Sequence, residues 1–236
     1  YSGSFNGSKE DADGSELDAA YGVIENGYLY LLFTGDMQNN GNRLNIFIAD
    51  GRTGQLILDA GNNSALSAMN GSKFSPNFGN GATYALEVNI NNGDNCYMND
   101  YNLSAGPNVN AFAGSFLVNA TANLSPNTVT GGFIEAFNNS HVSTMGTPGT
   151  AASQTNAAAV QTGFEITIPL AALGNPTGPI HVLADINGGK SGDEYLSNQF
   201  LPGLPVGTGN LAKPTFDFST TPGMFFTVPP QSTTLQ

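Results

Sequence analysis

A run of acidic residues near the start of the chain has the composition of a cation-binding loop. The segment EDADGSELDAAYG (10–22) holds five carboxylates and no Lys or Arg. Calcium prefers about six to eight oxygen ligands, carboxylates among them. The spacing therefore predicts a calcium site whose ligands are Asp11, Asp13, Glu16 and Asp18. A solvated acidic turn is the alternative, and the missing acid at the twelfth loop position excludes an EF-hand.

A second group of oxygen-bearing side chains follows a predicted strand, IHVLADI (180–186). It consists of Asp185, Asn187, Asp193 and Glu194. We predict a second cation site from Asp185, Asn187 and Asp193, because side chains that follow one strand meet in the same loop. Lys190 lies within the segment and counts against the site, since its charge repels a cation.

The chain holds few residues that could catalyse a reaction. It lacks the nucleophile-elbow and zinc-protease motifs, and its histidines are His141 and His181. Glu135 and Glu165 could act as the carboxylate pair of a glycoside hydrolase. Each alternates with core residues in its strand, however, so we expect both on the solvent face. Cys96 has no evident activating partner. We therefore predict no catalytic residues and no enzyme.

Exposed aromatic side chains are the other candidates for binding. Tyr97, Tyr101 and Tyr195 could stack on sugars, although ordinary packing explains them equally well. The chain has no Trp, which weakens the carbohydrate-binding interpretation.

Composition indicates that β-strands position all of these residues. The chain of 236 residues is 39% hydrophobic, with 15 Phe and 8 Tyr, which is ample material for a core. Charged residues make up 10%, against about 25% in an ordinary globular protein. The surface must therefore carry Asn, Gly, Ser and Thr, which favour turns and strands over helices.

Short apolar or alternating runs, separated by Asn-Gly and Pro-Gly turns, predict about a dozen strands. The clear runs lie at 27–35, 44–50, 84–90, 132–137, 163–170, 180–186 and 224–228. Weaker runs lie at 20–24, 55–58, 95–101, 114–118, 194–200 and 215–219. Segments 119–132 and 138–162 are predicted to be long loops. We predict an all-β antiparallel β-sandwich of the jelly-roll type. It forms one domain, 13–228, with extended segments at 1–12 and 229–236.

Charge and chain ends restrict the partners. A net charge of −12, from 18 acids and six bases, repels phosphate backbones and anionic membranes, so we expect no nucleic acid partner. No run reaches the ~20 apolar residues of a membrane span. Cys96 is the one cysteine, so no intrachain disulfide can form. The opening YSGSFNGS is typical of a mature end left after signal removal, which predicts secretion.

Two blocks of the sequence resemble secreted bacterial proteins of the PEP-CTERM-associated class. They are DGSELDAAYGVIENGYLYLLFTGDMQNNGNRLNIFIAD and GFEITIPLAALGNPTGPIHVLADINGGKSGDEYLSNQFLPGLPVGTGNL. The resemblance implies a jelly-roll sandwich, similar to family-nine-like carbohydrate-binding modules and DOMON domains, exported to an extracellular matrix. The sequence ends in FFTVPPQSTTLQ, without the Pro-Glu-Pro motif, apolar helix and basic end of that class.

These observations predict a non-enzymatic extracellular structural protein, such as a matrix, surface or filament subunit of a biofilm. We expect calcium to stabilise it and copies to associate by β-strand addition, with an extended end of one chain pairing with the sheet of the next. The alternative is a secreted carbohydrate-binding module that binds extracellular polysaccharide.

Overall fold

The structure, a computed structural model, describes residues 15–37, 41–62, 65–91, 95–106, 110–117, 123–128, 132–140, 160–188, 196–205, 208–209, 211 and 215–231. The strands are β1 (Glu16–Glu25), β2 (Tyr28–Asp36), β3 (Arg43–Ala49), β4 (Tyr84–Asn91), β5 (Asn95–Asn102), β6 (Asn110–Leu117), β7 (Asn123–Thr128), β8 (Ile134–Phe137), β9 (Gly163–Pro169), β10 (Ile180–Asn187), β11 (Leu196–Leu201) and β12 (Phe226–Val228). Short 3-10 segments span Ala65–Met69 and Leu103–Ala105. In this part of the chain, no helix is long and apolar enough to cross a membrane.

The strands form two antiparallel sheets, which confirms the predicted all-β sandwich. The five-stranded sheet has the order β1-β2-β9-β8-β7. The seven-stranded sheet has the order β11-β10-β3-β4-β5-β6, with β12 also paired to β10. β11 and β12 pair with successive halves of the same edge of β10, at Ala184–Asn187 and Ile180–Val182.

The five-stranded sheet turns one face to the core and the other to solvent. In β2, Leu29, Leu31 and Phe33 are buried between the sheets, whereas Tyr28 and Tyr30 point outward. This period-two alternation is expected of an antiparallel strand with a single buried face.

The seven-stranded sheet is buried on both faces near its middle. In β3, Ile46 and Ile48 belong to the core between the sheets, while Phe47 and Ala49 belong to a second core on the outer face. Residues from 58–78 and 200–225 cover that outer face. Its centre is a group of phenylalanines whose neighbouring ring centroids lie 4.8 to 6.1 Å apart: Phe47, Phe74, Phe78, Phe200, Phe216 and Phe218.

Two predicted strands are wrong, and one strand was not predicted. The runs at 55–58 and 215–219 form single bridges rather than strands, because they belong to the layer that covers the second core. β7 lies inside the predicted loop 119–132. It contains Pro126, and its pairing with β8 is irregular between Asn123 and Asn127. Edge position is what allows a strand to contain proline.

Candidate functional site

The structure places the described part of the first acidic segment in a strand. Glu16 opens β1 and is buried, with Asp36 of β2 as its Cα partner. Asp18 is half-buried beside Thr34, whose Oγ1 donates to Asp18 Oδ2 at 3.4 Å. Burial raises the pKa of Asp18. The other two proposed ligands, Asp11 and Asp13, lie outside the described residues.

No group of three or more His, Cys, Asp or Glu side chains that could hold a metal occurs among the residues that the structure describes. The calcium site at the amino end therefore stays a prediction. Asp193 of the second predicted site also lies outside the described residues.

Asp185 and Asn187 lie together on the outer face of β10, as their two-residue spacing requires. Asp185 is 0% exposed and Asn187 is 1% exposed. Asn45 of β3 is the Cα partner of Asp185, and its Nδ2 donates to Asn187 Oδ1 at 3.3 Å. Within the described chain, neither carboxylate oxygen of Asp185 has a hydrogen-bond partner. Burial raises the pKa of Asp185 far above its usual range, and the adjacent Asn45 amide offsets only part of that rise.

Glu87 of β4 is the Cα partner of Asn45 on the other side of β3, so Asp185, Asn45 and Glu87 form one row across three strands. Glu87 is as buried as Asp185 but has several hydrogen-bond donors. The Tyr101 hydroxyl donates to Glu87 Oε2 at 2.9 Å. Arg43 Nε lies 3.4 Å from Glu87 Oε1, and Asn89 Nδ2 donates to the same oxygen at 3.4 Å. The chain therefore compensates this buried carboxylate with its own side chains.

The tyrosines predicted to bind sugar do not form an exposed platform in the described chain. Tyr101 is buried, and its hydroxyl is bonded to Glu87. Tyr97 is half-buried on the same sheet, and Tyr195 lies outside the described residues.

The expectation that Glu135 and Glu165 share the solvent face is wrong. Glu165 is exposed on the outer face of β9, whereas Glu135 of β8 is 1% exposed and points into the core. The two carboxylates therefore lie on opposite faces of one sheet and cannot act as a pair. Burial raises the pKa of Glu135 from 4.5 to about 7. Burial is the main cause that raises the pKa of Cys96, and the charge of Glu135 raises it further. The Cys96 thiol is therefore not activated.

The outer face of the five-stranded sheet is a feature that the sequence analysis missed. We define the open face by these outward side chains of β1, β2, β8 and β9: Tyr21, Val23, Glu25, Tyr28, Tyr30, Leu32, Ile134, Ala136, Glu165 and Thr167. Exposure is 57% for Tyr21, 52% for Val23, 38% for Tyr28 and 36% for Ile134. The available signal was that alternate residues of β1 and β2 are Tyr and Val where a solvated face would carry Ser and Thr.

The open face carries a pair of neighbouring tyrosine rings and a depression. Tyr28 and Tyr30 rings lie 6.2 Å apart between centroids. A depression of 180 Å³ lies beside Tyr21, Val23, Tyr30 and Glu165. The side chains that define this face include two carboxylates, Glu25 and Glu165, but no Lys or Arg.

β1 forms an edge of the five-stranded sheet. In its first half, the Leu17 N–H donates to Gln199 Oε1 at 3.1 Å, which occupies part of the edge. Beside its second half, a groove of 480 Å³ separates residues 22–25 from residues 229–231. The strand sequence ELDAAYGVIE contains no Lys, Arg or Pro.

Comparison of the chain with protein-family models, curated proteins and solved structures finds no match. The resemblance to PEP-CTERM-associated proteins therefore stays a prediction, and the function must be argued from the geometry.

Proposed function

We propose that this chain is a non-enzymatic structural protein whose copies associate through the open face and the adjoining edge of β1. One observation carries the proposal. Of the six large hydrophobic side chains that are exposed in the described chain, four lie on this one face: Tyr21, Val23, Tyr28 and Ile134.

Exposed apolar side chains gathered on one face mark a surface that another molecule covers. Full burial of a Val or Ile side chain contributes about 1.5–3 kcal/mol. Covering the open face therefore supplies a substantial driving force. Each copy carries a net charge of −12, so this apolar contact has to overcome repulsion between copies, which salt screens.

The edge of β1 supports a second copy as the occupant. Soluble proteins usually protect an edge strand with Lys, Pro or a covering segment. β1 has neither Lys nor Pro, and a groove of 480 Å³ lies beside residues 22–25. Pairing through main-chain hydrogen bonds at this edge is the strand addition expected from the sequence.

Val23→Lys and Ile134→Lys test the proposal by placing a charge on the open face. We expect the wild-type protein to associate as its concentration rises in analytical ultracentrifugation, and each variant to remain monomeric. Val23 is 52% exposed, so Val23→Lys should change stability by less than about 0.5 kcal/mol, whereas Ile134→Lys, at a residue that is 36% exposed, should cost more.

Ile57→Lys is the matched control, because Ile57 is 57% exposed but lies away from the open face. It should associate like the wild type. A wild-type protein that stays monomeric at millimolar concentration, or an Ile57→Lys defect equal to that of Val23→Lys, would contradict the proposal.

Carbohydrate binding is the second candidate, and the paired rings of Tyr28 and Tyr30 favour it. A tyrosine ring offers an apolar face and a hydroxyl that can hydrogen-bond, and the carboxylate of Glu165 next to the depression can accept a hydrogen bond from a sugar hydroxyl. A neutral polysaccharide fits better than an acidic one, since no cation lies among the side chains that define this face.

Tyr30→Ala should abolish retardation of the protein in a gel that contains a soluble neutral polysaccharide. Tyr97→Ala serves as the control on the other sheet. Loss of retardation without loss of self-association would assign the face to sugar, whereas the opposite result would assign it to a second copy.

We also infer the jelly-roll type for the sandwich. The support is that the chain crosses between the sheets from β2 to β3, from β6 to β7 and again from β9 to β10. The extracellular location rests on the sequence observations and not on the fold.

A further inference from the structure

We propose that Asp185, Asn45 and Asn187 bind a hard cation on the outer face of the seven-stranded sheet. This site goes beyond the proposed function and lies on the sheet opposite the open face. It differs from the site predicted in the sequence by including Asn45 of β3, while Asp193 lies outside the described residues.

The three side chains are brought together by strand register. Asp185 and Asn45 are directly opposite each other on β10 and β3. Opposed side chains in an antiparallel pair have Cβ atoms about 4.5–5.5 Å apart. Asn187 lies two residues farther along the same face, within 3.3 Å of Asn45 Nδ2. The group thus presents carboxylate and amide oxygens, which are the ligands of hard cations.

Two of these groups lack a partner for their oxygens in the described chain. Both carboxylate oxygens of Asp185 and the Oδ1 atom of Asn45 are buried without a hydrogen bond. Burying an ionised carboxylate without compensation is very costly. A proton on Asp185 could satisfy at most one of the other acceptors. A cation compensates the charge and accepts electron density from both residues at once.

Glu87 is a second buried carboxylate on the same face, but its surroundings differ from those of Asp185. Glu87 lies in the same row as Asp185 and Asn45, and it is just as buried. The chain surrounds Glu87 with Arg43 and Tyr101. Among the described residues, Asp185 has no such donors beside the adjacent Asn45 amide, and a bound cation supplies the compensation in this proposal.

The test is a thermal melt of the whole chain after treatment with a chelator, with calcium and sodium added back in separate series. For a chain of this length, calcium at about 100 times its dissociation constant should raise the Tm by about 5 °C. A response to sodium instead would assign the same site to a monovalent cation.

Asp185→Asn keeps the shape of the side chain and removes its charge. We expect this variant to lose the cation-dependent shift and to be at least as stable as the wild type without cation. Glu165→Gln, an exposed acid on the other sheet, is the matched control and should keep the shift.

Asn45→Asp should change the cation-dependent Tm shift in the direction opposite to Asp185→Asn. It adds a carboxylate beside Asp185, so it should enlarge the cation-dependent shift and lower stability in chelator. Absence of any shift in the wild type would overturn the proposal. So would an unchanged shift in Asp185→Asn, which would place the cation elsewhere.

Discussion

At the scale of single residues, Glu135 makes the stability of the fold depend on pH. Its carboxyl is buried between the sheets and has no hydrogen-bond partner among the described residues. Burial raises its pKa from 4.5 to about 7, so the folded state holds a proton that the unfolded state releases above pH 4.5.

The free energy of unfolding should therefore fall as pH rises from about 4.5 to about 7, because the folded state binds more protons over that range. The loss attributable to Glu135 is about 3 kcal/mol, on the order expected for this pKa change. Glu135→Gln should reduce the slope, measured by urea denaturation at a series of pH values.

Glu165→Gln is the control for this slope, since Glu165 lies on the exposed face of the neighbouring strand. Some slope should remain in Glu135→Gln, because burial also raises the pKa of Asp100 to about 6. An identical slope in the wild type and Glu135→Gln would show that Glu135 does not carry the proton.

The sequence could not place Glu135 correctly because either set of alternate residues in its strand could face the core. In GFIEAF, one face carries Phe133, Glu135 and Phe137, and the other carries Ile134 and Ala136. Burial of two phenylalanines outweighs burial of Ile134, so the glutamate is buried with them. Judged by polarity one residue at a time, Glu135 is placed on the solvent face and Ile134 in the core. The exposure of Ile134 on the open face was missed because of this assignment.

At the scale of elements, the contact between β1 and β12 depends on Gly22. A Cβ atom at Gly22 would lie 2.5 Å from Val228 Cγ2, and valine has little freedom to move away. We expect Gly22→Ala to lower the free energy of unfolding by about 1–3 kcal/mol, as overpacking does, measured by chemical denaturation.

Gly178→Ala is the matched control, because a Cβ there meets no atom within 4 Å. Val228→Ala should rescue Gly22→Ala in part, since it removes the Cγ2 atom. Additive losses in the double variant would show that the two residues do not couple.

Most strands could be predicted from sequence because their apolar residues alternate or form short continuous runs. β2 and β9 follow the two-residue period, and β3 and β10 read as nearly continuous apolar runs because both of their faces are buried. The bridges at Ile57 and Asp217 carry the same local signal without a strand to pair with. Only tertiary packing distinguishes the runs that form strands from the runs that form isolated bridges.

At the scale of the whole molecule, the layer over the second core was beyond the reach of sequence patterns. Phe74, Phe78 and Phe216 lie in irregular segments, so no periodicity marks them as core. Asp185 and Asn187, predicted in a loop after the strand, lie within β10 and are buried. The sequence predicted the residue types of that candidate site, but not Asn45, which reaches it through strand register.

Because the second core covers the middle of the seven-stranded sheet, apolar exposure is concentrated on one side of the sandwich. If two open faces contact each other, a two-fold axis relates the copies, and the open faces of both copies are buried in the contact. Such a contact closes at a dimer. Growth beyond two copies requires the open face to meet a different surface, and the sheet edge at β1, next to Tyr21 and Val23, is the candidate for that head-to-tail arrangement.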